Sequence, residues 1–599
     1  MRPIAAEGDV PTRVRTGTAK WAAVALVSLS IAIIAAAVLG RSAVGPAPAS
    51  SASGVASVAS RSAGVRPSPT PGQLAGIATC PQPLAPVTPA PIPFASSSSG
   101  ETGAAPGGWP VTLATWGVSG LLAADGTSWF IVGDYIVALD GSGHERAGWP
   151  QPLGFALNPS PGNSPELTVG ADGTVYAWDY KTVMAYRADG TPLAGWPYQI
   201  PDIQSILPFS AGVYVESQLS TDPATDCMGY VMTLISTAGA IESIWPLQGS
   251  VDAVGPDGTV YSTIDSSSSS AVDSMNDWVA AYASDGTVKP GWPLRGWNGV
   301  TLGPDGQIYL RWWKFRVMTG TSMEGPGAAL ETRIAAVDQT GRPYAGWPIT
   351  IAGAASDPVF GPDGTVYMTA EVTSPDYSSF ADSILAFDAA GHSKPGWPVG
   401  LAPGVSILRS VPAVGAPSPD PPQIGSDGTV YVGASTVAET TEGGSISSGD
   451  LDAFDPSGQP KAGFPVSTDW MQVSNMFFGQ GSGWFAVGRT GLVFMVTGNV
   501  QVSGYNGTAN ANYHTDARTG SRGTGATGDI GNESILASGP DGKVAPGWPV
   551  ELPTNLTVDW ANLEPDGGLL VQGHDPPDSG PVPDTTTVIR YLPDGTVAP

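Results

Sequence analysis

A short phrase ending in an aromatic residue and a proline recurs along most of this chain, and its spacing constrains the fold more than any other feature. The aromatic stands at Trp149, Trp196, Trp245, Trp292, Trp347, Trp397, Phe464 and Trp548. Each lies six residues after a glycine: Gly143, Gly190, Gly239, Gly286, Gly341, Gly391, Gly458 and Gly542. Between these phrases the residues alternate apolar and polar, bounded by Asp-Gly pairs, as in the stretch from Asp172 to Pro197. Asp-Gly between alternating segments is a hairpin signal, because glycine accepts the positive φ that a tight turn requires. The second repeat predicts four strands, at 166–170, 174–178, 182–187 and 195–200. Repeats of roughly 40 to 80 residues, each a four-stranded meander, predict a β-propeller.

Composition agrees with an all-β class. With 79 Gly and 58 Pro in 599 residues, long helices are disfavoured beyond the N-terminal region. The 52 acidic residues against 25 basic ones give a formal charge of -27, which argues against nucleic acid as a partner. The four histidines, His144, His392, His514 and His574, are far apart in sequence, so no metal site is predicted. Two cysteines, Cys80 and Cys227, exclude a disulfide scaffold but form a candidate disulfide.

Before the repeats the chain has three parts. Residues 1–20 are polar, with Arg2, Arg13, Arg15 and Lys20 outweighing Glu7 and Asp9. Residues 21–39 carry no charge, and as a helix they would reach roughly 28 Å, close to a bilayer's hydrocarbon thickness. The basic flank places the N-terminus in the cytoplasm and the repeats outside, so the membrane is an expected partner and the helix a signal-anchor. A cleaved signal peptide is the competing reading, with Ala47, Pro48 and Ala49 as a cut site; the length of the run favours the anchor. Residues 40–105 are Ala/Ser/Pro-rich and read as a disordered stalk.

Residues 106–599 form the propeller. The last repeat stops at Pro599, short of its own tryptophan, while the domain opens with Trp109 and no preceding third strand. The strand around Trp109 is therefore expected to complete the last blade, which removes an open sheet edge. That closure gives nine blades. Eight is the alternative, should the unit before Trp245 or the one before Trp548 fail to form.

The spacing of Ala138, Asp140, Gly143 and Trp149, repeated at Ala386, Asp388, Gly391 and Trp397, resembles the tryptophan-docking motif of pyrroloquinoline quinone-like (quinoprotein dehydrogenase-like) propellers. Here the alanine and tryptophan lie one residue further apart, and a proline follows. The resemblance implies a tryptophan packed between neighbouring blades. Its dehydrogenases hold their quinone with adjacent cysteines and a calcium ion, and Cys80 and Cys227 are not adjacent. A non-catalytic member without cofactor is the reading that follows.

One cluster departs from the acidic background: Arg311, Trp312, Trp313, Lys314, Phe315 and Arg316. Flat aromatic faces beside planar donors suit ligand contact, and Arg311, Trp312, Trp313, Lys314 and Arg316 are the candidates. By strand parity the Asp-Gly turns share one face of the ring. The long connections 218–229, 265–276, 318–331, 374–382, 435–449 and 508–532, together with 402–422, share the other. The sequence thus predicts a membrane-anchored extracytoplasmic propeller that binds or scaffolds a protein or carbohydrate ligand on its long-loop face. The alternative is an extracytoplasmic enzyme, either a glycoside-active hydrolase or a quinone-dependent dehydrogenase.

Overall fold

The computed structural model describes residues 90–91, 108–114, 120–155, 165–222, 227–264, 277–315, 329–373, 380–402, 405–407, 419–439, 444–468, 477–478, 481–482, 485–497, 502–504, 534–553, 556–574 and 585–599. The segment expected to span a membrane, 21–39, lies outside them, as do Cys80, Arg316 and most of the expected stalk.

Each repeat becomes a blade because its middle strands are apolar on both sides. In the second repeat Thr182–Tyr186 is buried at every position, as is Ser128–Val132 in the first and Val260–Ile264 in the fourth. Blades are stacked between two neighbours, so a middle strand has no solvent face and reads as a near-continuous apolar run. Nine sheets result, each built on an antiparallel meander of consecutive strands, the ninth completed by the N-terminal strand. The two units whose folding decided between eight and nine blades both form: Ile203–Phe209 to Ile241–Leu247, and Phe485–Val487 to Val550–Glu551. The protein is a nine-bladed β-propeller.

First strands approach one another around the ring, as Ser250–Val254 does Val300–Leu302, so they line the centre and the fourth strands lie outermost. Phe477–Phe478 pairs in parallel with the first strand of blade nine, Thr557–Leu563, on its free inner edge. Phe477–Phe478, between blades seven and eight in sequence, therefore lies on the channel side of blade nine. On the outer edge of blade two, Ala90–Pro91 adds a fifth strand opposite Tyr198–Gln199, so two residues of the expected stalk are held against the ring.

The ring closes through pairing of Val111–Ala114 with Thr585–Tyr591, in the register Val111↔Val588 to Ala114↔Thr585. Val111 and Leu113 are buried there against Leu570 and Val588. Arg590 on the third strand of that blade reaches across to donate to the Gly141 carbonyl of blade one.

The repeated tryptophan joins each blade to the next. Its ring is buried, and its Nε1 donates to a carbonyl two residues before the turn glycine of the following blade. This bond runs from Trp109 to Gly141 at 3.2 Å, Trp149 to Ala188 at 3.1 Å and Trp292 to Gln339 at 3.0 Å. Trp347 to Ala389, Trp397 to Pro456 and Trp548 to Pro593 repeat it at 3.0, 3.2 and 3.1 Å. A tryptophan buries about 200 Å² on average, so each ring contributes on the order of 5 kcal/mol as an upper bound. Beneath it two glycines touch. A Cβ on Gly148 would lie 2.1 Å from the Asp189 carbonyl oxygen, and one on Gly190 would lie 2.1 Å from the Gly148 oxygen. With φ of 89° and 81° besides, neither position accepts another residue without strain. This contact explains why glycine stands at both positions.

Three junctions depart from the pattern, and each has a substitute. Between blades two and three the Tyr198 hydroxyl donates to Gly239 O at 2.7 Å. Between three and four Ser243 Oγ donates to Ser284 O at 2.6 Å, while Trp245 lies against Gly286. Between seven and eight, where the aromatic is Phe464, Gln423 pairs its side-chain amide with Phe485 O and Val487 N at 2.6 and 3.0 Å.

Two outcomes follow for denaturation experiments. Deleting residues 106–113 removes the closing strand and is expected to lower the melting temperature far more than deleting residues 50–57; equal melting temperatures refute closure as the source of stability. Replacing Trp397→Phe keeps most of the buried ring but loses the bond to Pro456, an expected cost of about 1 kcal/mol. Trp397→Ala is expected to cost about 3–5 kcal/mol. Chemical denaturation of both variants checks the ratio.

Candidate functional site

The two faces of the ring differ in what their side chains are doing. On the Asp-Gly face the aspartates are fixed by the blade itself. Asp363 accepts from the Thr365 backbone at 3.0 Å and from Lys394 Nζ at 2.9 Å, and the lysine also reaches Thr365 Oγ1 at 2.6 Å. Lys461 with Asp427 and Thr429, and Lys289 with Asp257 and Thr259, repeat the arrangement. Arg146 with Asp125 supplies it in blade one. The cation comes from the turn between third and fourth strands, so it ties the two turns of one blade together. The Thr365 hydroxyl bond and the Lys394 charge, against some burial, hold Asp363 down at about 2. These carboxylates are committed to the fold.

The opposite face is raised. The expected loops at 218–229 and 435–449 are in good part strand: Gly212–Asp222 pairs with Cys227–Ser236 as far as Asp222↔Cys227, and Val430–Glu439 with Gly444–Phe454 as far as Glu439↔Ser445. Ile308–Phe315 with Ala329–Val337, and Val366–Thr373 with Phe380–Phe387, are similar arms. The cross-strand alternation simply continues past the blade, which polar residues such as Ser435, Thr436, Ser447 and Ser448 obscure in the sequence. Val502–Gly504, from the blade-eight connection, adds a strand to the blade-seven arm. Blades one and two carry no arm. Gly133 and Asp134 make a two-residue turn, and in blade two Asp179 caps its turn by accepting from the Lys181 and Thr182 amides at 2.8 and 2.7 Å. The raised rim is interrupted there, as strand parity predicts.

The Arg311–Arg316 cluster lies on the blade-five arm of this face, and its members separate by parity. Ile308 and Leu310 pack on blade four, and Trp312 continues that side. Trp312 is 3% exposed, opposite Arg333 in register, whose guanidinium lies 4.4 Å over its ring. It therefore offers no free face for a ligand: the candidate is a packing residue. Arg311 and Trp313 point the other way, toward blade six. Arg311 pairs with Asp357 of blade six at 2.5 Å and lies 4.2 Å over the half-buried Trp313 ring. Lys314 is exposed.

Sequence reasoning missed what surrounds them. Trp278 opens the third strand of blade four, with Arg295 opposite in register at 5.8 Å from its ring. Trp278 packs on the side of blade three, whereas Trp297, in the connection to blade five, packs in the junction between four and five. Asn298 beside it donates to Asp277 Oδ2 at 3.0 Å and, from its backbone, to Arg311 O at 2.6 Å. Trp278 and Trp297 stand outside the repeated phrase, and that was the available signal. Arginine–tryptophan pairs thus stand on three successive junctions of one face.

Among the described residues no group of three or more His, Cys, Asp or Glu could hold a metal ion. Two glutamates are buried among the described residues, and one of them joins blades. Glu216 accepts from Ser205 Oγ at 2.8 Å and from the blade-four amide of Val251 at 3.1 Å, and burial raises its pKa. Glu564, in the Asp-Gly turn of blade nine, is 4% exposed. Burial pushes it up to about 7 despite Arg590 at 3.6 Å, with Asp566 adding to the rise. Its folded pKa lies above the unfolded value, so the folded state binds the extra proton and stability falls as pH rises from about 4.5 through 7. Glu564→Gln is expected to flatten the melting temperature between pH 5 and 8; an unchanged slope excludes this carboxyl as the cause.

No known protein family's profile matches the chain, and no curated protein matches it in sequence. Solved structures do. The β-propeller domain of the Trilobed protease from Pyrococcus furiosus is similar at 8% identity, over 66% of this chain and 96% of that one, with a TM-score of 0.30. The polysaccharide lyase Uly1 matches at 10% identity over 70% and 93%, with a TM-score of 0.31. Pyrococcus horikoshii acylaminoacyl peptidase matches at 9% identity over 66% of this chain and 51% of that one, with a TM-score of 0.29. Likeness at this level bears on neither activity nor ligand.

Proposed function

We propose that this chain is a non-catalytic binding or scaffolding module of the pyrroloquinoline quinone-like propeller type, held outside the cell by a helix at 21–39 and working through its raised face. One observation carries the reading: the strand arms of blades three, five, six and seven and the arginine–tryptophan pairs all rise on the same face. The aspartates of the opposite face are held in turns and ion pairs, Glu216 in joining blades three and four, and Glu564 in an ion pair within blade nine. The charge of -27 keeps anionic surfaces at a distance and leaves neutral or basic ligands favoured.

The test is site-specific photo-crosslinking of the full-length protein in intact cells. A crosslinker at Lys314 is expected to trap a ligand or partner, whereas one at Asp541, exposed on the Asp-Gly face, is not. Adducts from Asp541 alone overturn the assignment of the face. Turnover of a glycoside or an alcohol by the purified protein, abolished by a single carboxylate substitution, overturns the non-catalytic reading.

A further inference from the structure

The tryptophans of the raised face are distributed, not clustered. Trp278 lies at the mouth of the junction between blades three and four, Trp297 at that between four and five, and Trp313 at that between five and six. All three are half-buried, so each ring is held by the blades and still presents part of its surface. An arginine stands at each mouth: Arg295 over one face of Trp278, Arg333 over Trp312 next to Trp297's junction, and Arg311 over one face of Trp313, which leaves the exposed part of Trp278 and Trp313 for a ligand. Two of these guanidiniums are fixed by carboxylates, Arg311 by Asp357 and Arg333 by Glu331 at 2.6 Å. Their orientation is set before any ligand arrives, so little rotamer freedom is left to lose on binding.

A row of similar subsites, one per junction, matches a ligand that is itself a repeat. Resting on the binding-module reading above, we infer that the raised face of blades three to six binds an uncharged polysaccharide chain, with sugar rings spaced along it stacking on Trp278, Trp297 and Trp313. The apolar face of a pyranose matches an indole, and its equatorial hydroxyls reach the planar donors beside the ring. Charge selects against an acidic polymer. The arginines are neutralised locally by Asp357 and Glu331, and the chain as a whole carries -27, so a polyanion meets net repulsion. The three mouths act as linked weak sites, so affinity grows with the length of the glycan until all three are spanned.

The experiment uses the full-length protein in detergent micelles and affinity electrophoresis through gels containing soluble β-glucan, α-mannan, dextran or hyaluronan, followed by titration with oligosaccharides of two to ten units. Retardation is expected by at least one uncharged polymer and not by hyaluronan, with affinity rising at least tenfold between two and eight units. Trp278→Ala, Trp297→Ala and Trp313→Ala each are expected to weaken the long chain at least fivefold while leaving the two-unit affinity of the other sites in place. Trp313→Phe, which keeps a stacking face, is expected to retain most of the binding and guards against a folding defect, as does an unchanged melting temperature. Retardation by hyaluronan alone, or binding indifferent to all three alanine variants, overturns the inference. So does protection of these tryptophans by a proline-rich peptide copying residues 81–94 with no glycan retarded. If no glycan binds while Lys314 still crosslinks a protein, this inference fails and the binding-module reading stands.

Discussion

The structure depends on one kind of contact: an aromatic residue leaving one blade and lying on the turn of the next, at most junctions over a place where two backbones touch. The ring is large because the geometry of that contact is nearly the same at each junction. A wedge that repeats with constant angle closes at a fixed count, and here the count is nine. Everything else on the Asp-Gly face serves to hold the receiving turn in shape. The Asp–Thr–Lys arrangement fixes the turn between first and second strands against the turn between third and fourth, so the incoming tryptophan meets a preformed surface.

This division of labour explains how much of the fold was legible in sequence. The six-residue interval from Gly391 to Trp397 is a direct imprint of backbone contact, because a side chain at that glycine would collide with its neighbour. The closing strand at Trp109 could be located for the same reason. The arms were not legible. The outer parts of strands such as Val430–Glu439 and Gly444–Phe454 continue the hydrogen-bonded pairing beyond the apolar run that marks the blade in the sequence. The candidate site was half legible. Trp312 and Trp313 are adjacent, and sequence treats them alike; strand parity buries one at 3% exposure and turns the other toward a different junction. Trp278 and Trp297 join them only through the ring, across sequence gaps that no local pattern bridges.

The raised face follows from the same economy of position. With one face occupied by the turns that receive the tryptophans, insertions are tolerated only where strands can lengthen without disturbing a junction. Blades three, five, six and seven lengthen there, and blades one and two do not. The fold therefore separates what must stay constant from what is free to vary, and the separation is spatial.

The substitution of Phe464 for tryptophan has a mechanical implication. At six junctions an indole nitrogen fastens the outer circumference, and at two others Tyr198 and Ser243 do so. Between blades seven and eight the polar ties are Gln423 and Ser426, which lie toward the inner radius, and Val502–Gly504 on the raised arm. Among the described residues the outer rim of this seam has the apolar packing of Phe464 where six others have an indole hydrogen bond, so the rim is its more compliant part. Stress on the ring, whether from heat or from force transmitted through a tether, concentrates at that seam and opens it from the outside inward.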